Sequence, residues 1–143
     1  MINVKYVLMH SNARIPQKSH EDDAGFDLFA VENYNLQPHE YACIPTGLRI
    51  ELPQGTEAQV RPRSGLAAKH GITVLNTPGT IDAGYRGEIK VVLINHGRDV
   101  FSIYPGLRIA QLVIKPIYEV SFIETAMLSE SIRGEGGFGS SGK

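Results

Sequence analysis

A chain of 143 residues, 42% apolar and 20% charged, has the length and composition of one ordinary globular domain. Its formal net charge of −1 argues against a broad basic face for nucleic acid, and no apolar run approaches membrane-spanning length. A single cysteine, Cys43, excludes an internal disulfide framework and any multi-cysteine zinc site.

Short β-rich runs recur along the chain at 4–9, 26–30, 41–44, 48–52, 58–60, 72–75, 88–94 and 107–117. Turn signals separate them, among them Pro38, Pro45, Gly55, Pro78, Gly84, Gly97 and Gly106. This spacing, with almost no helical periodicity, predicts an all-β sandwich or barrel. The one helix candidate is a turn over 64–70, with Ser64 as its N-cap and Gly71 as its terminator. Cys43 lies in an alternating stretch and reads as a small buried hydrophobe. Residues 90–94 and 109–114 are apolar on both faces, which predicts a homo-oligomer that covers the second face. Residues 121–132 read as an arm leading to a glycine-rich end, so the expected division is a core over 1–120 and an arm and lid over 121–143. No targeting segment is expected, and a reducing, cytoplasmic setting fits the cysteine count.

Four segments could carry chemistry. Residues 76–88 lie between two strand candidates and read as a hairpin. Asn76 offers an amide that donates and accepts, as the edge of a uracil-type base requires. Asp82 has the chemistry of a general base, and Tyr85 offers a flat ring to press on a sugar. Asn, Asp, Gly and Pro are also ordinary turn residues, so this segment alone is read equally well either way. Arg61, Pro62, Arg63, Ser64 and Gly65 form a cluster that could grip phosphate or simply be a capped turn with solvated arginines. Asp27 is an acid between apolar neighbours, and Gln111 is a polar residue in an apolar strand that needs a partner. The run Glu21, Asp22 and Asp23 reads as a solvated loop, and the five scattered histidines show no ligand spacing.

The fourth segment, 133–143, combines glycines, two hydroxyls, a basic residue at each end and one ring, Phe138. Glycines let backbone N–H groups converge on an anion, so the segment reads as a lid that grips phosphates while its ring covers a base. The alternative is a disordered tail or a cloning scar, which explains neither Arg133 nor Phe138. The spacing from Gly137 to Lys143 matches the start of a P-loop, but no strand candidate precedes it.

Taken together and in order, the motifs at 24–28, 62–67, 76–88, 106–112 and 133–142 closely resemble those of the homotrimeric dUTPase family. The resemblance covers nearly the whole chain. It implies a jelly-roll-like β-barrel of the β-clip type, assembled as a homotrimer with three sites between subunits. It implies hydrolysis of dUTP to dUMP and pyrophosphate, which supplies dUMP for thymidylate synthesis and keeps uracil out of DNA. Asp82 would activate the water that attacks the α-phosphorus. Asn76, Gly79, Thr80, Ile81 and Tyr85 would receive uracil and deoxyribose, with Lys90 nearby. Arg63, Ser64, Gly65 and Gln111 would hold phosphate oxygens. Arg133, Gly139, Ser140 and Ser141 would close on the γ-phosphate, and Phe138 would stack on uracil. Mg²⁺ would be held mainly by the phosphates and water, with Asp27 in its outer sphere. Gly84 stands where many members carry aspartate, and Ser141 where many carry threonine. Enzymes similar to dCTP deaminase share the fold but lack the aromatic glycine tail. No nucleic-acid or membrane partner is implied.

Overall fold

The computed structural model describes residues 1–138. They form an all-β fold with one short helix, in the order β1 (Lys5–Leu8), β2 (Phe26–Phe29), β3 (Tyr34–Leu36), β4 (Tyr41–Glu51), β5 (Thr56–Arg61), α1 (Ser64–His70), β6 (Ile72–Val74), β7 (Gly79–Asp82), β8 (Ile89–Asn95), β9 (Phe101–Ile103) and β10 (Arg108–Pro116). Two antiparallel four-stranded sheets, β1-β4-β8-β6 and β2-β10-β5-β7, accompany a two-stranded ribbon, β3-β9.

Strict alternation sets which face of each strand enters the core. In β5, Thr56, Ala58 and Val60 are buried, while Glu57, Gln59 and Arg61 face outward and are partly exposed. In β8, Ile89, Val91, Leu93 and Asn95 point inward. The apolar ones among them join Leu28, Leu36, Ile44, Leu48, Ile72, Val74, Ile103, Ile109 and Leu112 in one cluster. The inward alternation of β8 ends on a polar residue. Asn95 is fully buried, its amide donating to the carbonyls of Leu36 (3.0 Å) and Asp99 (2.9 Å) and accepting from the Gly97 N–H (2.8 Å). It therefore ties the end of β8 to β3 and to the following turn. An Asn95→Ala chain is expected to lose about 2–4 kcal/mol, because those backbone groups lose their partner. Urea unfolding measures this directly, and an unchanged midpoint would show that water replaces the amide.

The two strands expected at 41–44 and 48–52 form one 11-residue strand, β4. Its pairing with β8 slips between Pro45 and Leu48, so a bulge absorbs the proline that had looked like a turn. Gly47 adopts φ +64°, and a Cβ there would lie 2.9 Å from the Cβ atoms of His10 and Ala13. Two further expectations are corrected. Cys43 is exposed, because its strand turns that residue outward. Ser64 is the first residue of α1 and does not cap it; the cap position is Arg63, with no side-chain hydrogen bond. Gly71 ends the helix as expected, with φ 69° and its N–H directed to Ala67 and Leu66.

Beyond β10, all residues from 117 to 135 are exposed, including Tyr118, Phe122 and Leu128. None belongs to a strand after Pro116. At the other end of the chain, β1 pairs only with β4 and is exposed along its length, Tyr6, Val7 and Leu8 included. Among the described residues, no helix is long and apolar enough to cross a membrane.

Candidate active site

The segment expected to be a hairpin contains a strand of its own. β7 pairs with β5, so that Thr80 faces Gln59 and Asp82 faces Glu57. Gly79 and Ile81 point into the core and fix the strand, leaving Thr80 and Asp82 exposed on the other face. Just before it, Asn76 packs close on Gly79, where an added Cβ would sit 3.2 Å from the Asn76 Nδ2. Just after it, the Tyr85 N–H donates to the Asp82 carbonyl at 3.0 Å and closes a tight turn. Together these elements border a cavity of about 500 Å³. Asn76, Gly79, Thr80, Ile81, Asp82, Tyr85 and Lys90 all line it, with Cys43, Val60, Glu88, Ile89 and Val92 completing its wall. Lys90 lies 3.8 Å from the Glu88 carboxylate.

A second cavity, of about 340 Å³, opens where β2, β10, β5 and the start of α1 meet. Asp27, Arg63, Ser64, Gly65 and Gln111 line it, as do Ser19, Asp23 and Arg61. Register explains the grouping. Asp27 faces Gln111 across β2 and β10, and Gln111 faces Arg61 across β10 and β5. Gln111 finds the partner that its position demands: its amide donates to the Pro62 carbonyl at 2.9 Å. Its Oε1 lies over Gly25, where a Cβ would be only 2.1 Å away. The Asp27 carboxylate is largely buried and shared by two arginines, Arg63 Nε at 3.1 Å and Arg108 at 3.4 Å. On β5, the Arg61 guanidinium donates to Gln59 (2.6 Å), whose amide donates to Glu57 (2.8 Å).

Each cavity thus gathers the residues expected for it, yet the two have no lining residue in common. The tail is separate again. Arg133 Nε donates to the Gly136 carbonyl at 2.7 Å, and Phe138 is fully exposed. Neither lines either cavity. Gly139, Ser140 and Ser141 lie outside the described residues.

Among the described residues, no three His, Cys, Asp or Glu side chains converge to cage a metal. With Asp27 already paired to two arginines, this donor set suits only an ion held chiefly by ligand oxygens and water. The carboxylate perturbations lie elsewhere: the Tyr34 hydroxyl donates to Glu40 and holds its carboxyl below the usual range, and the Lys5 ammonium does the same for Glu51. Arg108 was given no role in the sequence reading. It lies in a motif that had been singled out, but its approach to Asp27 depends on strand register, which spacing does not reveal.

A family model described as dUTPase matches residues 11–142. A deoxyuridine 5'-triphosphate nucleotidohydrolase of Clostridium tetani is 59% identical over 140 residues, covering 98% of this chain and 97% of that relative. One from Gloeothece citriformis is 53% identical, covering 99% and 97% respectively. Among solved structures, Staphylococcus bacteriophage 80alpha dUTPase with dUPNHPP superposes with a TM-score of 0.92 at 32% identity, covering 99% of both chains. A dUTPase from phage phi11 of S. aureus, whose structure reveals the coordination of a structural Mg(II) ion, gives 0.82 at 27% identity over 87% of this chain and 97% of that one. The all-β fold is thus shared with nucleotide hydrolases. The chain belongs to the dUTPase family, and its activity is that of a dUTP diphosphatase.

Proposed function

We propose that this chain hydrolyses dUTP to dUMP and pyrophosphate through Asp82. The observation that carries the reading is the content of the hairpin cavity, where a base-reading amide, a ring and an exposed carboxylate line one space. Asp82 orients a water and takes its proton as the oxygen forms a bond to the α-phosphorus. The bond from that phosphorus to the bridging oxygen breaks, and pyrophosphate departs. Asn76, with backbone groups of Gly79, Thr80 and Ile81, reads the uracil edge. Cytosine exchanges acceptor for donor there, and the unpaired buried groups cost about 1–3 kcal/mol. Tyr85 lies under the deoxyribose and excludes a 2′-hydroxyl by contact. Lys90 contributes at the cavity rim.

Arg63, Ser64, Gly65 and Gln111 hold the phosphate oxygens, and Asp27, which orients Arg63, would hold Mg²⁺ through water. When bound, Mg²⁺ neutralises charge on the triphosphate. Arg133, Phe138, Gly139, Ser140 and Ser141 close over the ligand as a lid, on an arm that begins after residue 120.

The working form is a homotrimer whose sites combine the hairpin cavity of one chain with the phosphate cavity of another. Separation of the two cavities supports this, as do the exposed apolar arm and the exposed β1 edge. The setting is cytoplasmic, where the product feeds thymidylate synthesis and uracil is kept out of DNA. Incubation with Mg²⁺ and, separately, dUTP, dCTP, dTTP and UTP tests the reading. dUMP and pyrophosphate from dUTP alone are expected. Deamination of dCTP would overturn it.

A further inference from the structure

We infer that Gly87 and the Glu88 carbonyl latch the ring of Tyr85 in one pose, and that this latch sets the rejection of ribonucleotides. The inference rests on the reading of the hairpin cavity as a nucleoside site. The Tyr85 hydroxyl donates to the Glu88 carbonyl at 2.9 Å, three residues ahead. To reach it, the ring folds back over residue 87. A Cβ on Gly87 would stand 2.3 Å from the Tyr85 hydroxyl oxygen and 2.5 Å from its ζ carbon. Gly87 has no left-handed φ, so the glycine is required there for room and not for backbone freedom. Glu88 is itself anchored: one carboxylate oxygen accepts from the Gly47 N–H of the β4 bulge at 2.9 Å. Arg86 braces the same loop, donating to the carbonyls of Ala83 (2.6 Å) and Tyr85 (2.9 Å), while Arg49 donates to the Arg86 carbonyl.

Half-exposed at 47%, the ring would be free to swing without these ties. Rejecting one added hydroxyl by contact is weak discrimination, on the order of 10². A wall that yields by a fraction of an ångström forfeits most of it. The latch holds the wall still and leaves the phenol no proton to offer a ligand. Gly87 and Glu88 are thus positioning residues that act through Tyr85.

Gly87→Ala tests this, with Gly84→Ala as the control in the same loop, since a Cβ at Gly84 meets nothing within 4 Å. The ratio of kcat/KM for dUTP over UTP is expected to fall by roughly tenfold in Gly87→Ala and to hold in Gly84→Ala. In the ligand-free protein, the ¹³Cε resonance of Tyr85 is expected to move in the first variant only. Tyr85→Phe, which removes one oxygen, carries the same test if Gly87→Ala does not fold; it should lower the ratio in the same direction. An unmoved resonance would overturn the latch. A moved resonance with an unchanged ratio would leave the latch standing and overturn its role in sugar selection. A parent protein that does not hydrolyse dUTP would instead overturn the underlying reading, and the selectivity claim with it.

Discussion

An Asp82→Asn chain is expected to bind dUTP and to hydrolyse it about 10²–10⁴-fold more slowly than the parent, the usual cost of a lost general base. The amide keeps the shape of the carboxylate and can still orient a water, but it cannot take the proton. Folding should not confuse the result. β7 is held by backbone pairing to β5 and by the inward-facing Gly79 and Ile81, none of which involves the Asp82 side chain. Asp82 also stands directly across from Glu57, so removing its charge relieves a like-charge pair. Thermal stability should therefore hold or rise slightly while kcat collapses. Single-turnover kinetics with dUTP separate the two effects, and a near-normal kcat would mean that another group activates the water.

Removing Phe138 and everything after it is the second large effect expected, with turnover falling on the order of 10²-fold. Among the described residues, every one from 115 to 135 is exposed, and Phe138 is exposed and lines neither cavity. Size and melting behaviour should match those of the full chain. If the segment acts as a lid, its removal opens the triphosphate to water and frees it to adopt unproductive poses. Unchanged turnover with intact assembly would sink that role.

Much of the fold could be read from composition and turn signals, because strands in a small β domain are bounded by Gly and Pro at nearly every corner. What escaped follows from pairing. β3 and β9 have three residues each and gain their identity only from each other. β7 looked like turn because Gly79 and Asp82 are poor strand formers and Asn76 and Pro78 precede it, and its partner β5 decides its state. At the site, residues near in sequence were legible: Asn76, Asp82 and Tyr85 share one cavity as expected. Arg108 was not, since only the β2–β10 register brings it to Asp27. That the two cavities share no lining residue was equally hidden, as motif order does not reveal which motifs meet in space.

That separation has a genetic meaning. Because the hairpin cavity and the arginine-rich cavity share no lining residue, a lesion in one leaves the other intact within the same polypeptide. Asp82→Asn and Arg63→Ala chains, each nearly inactive alone, should therefore complement when unfolded together and reassembled. With equal mixing, roughly a quarter of sites would join two undamaged halves, if every site draws on two chains. Two defective alleles in one cell would behave as a partial wild type, whereas no recovery on mixing would place both halves of each site in a single chain.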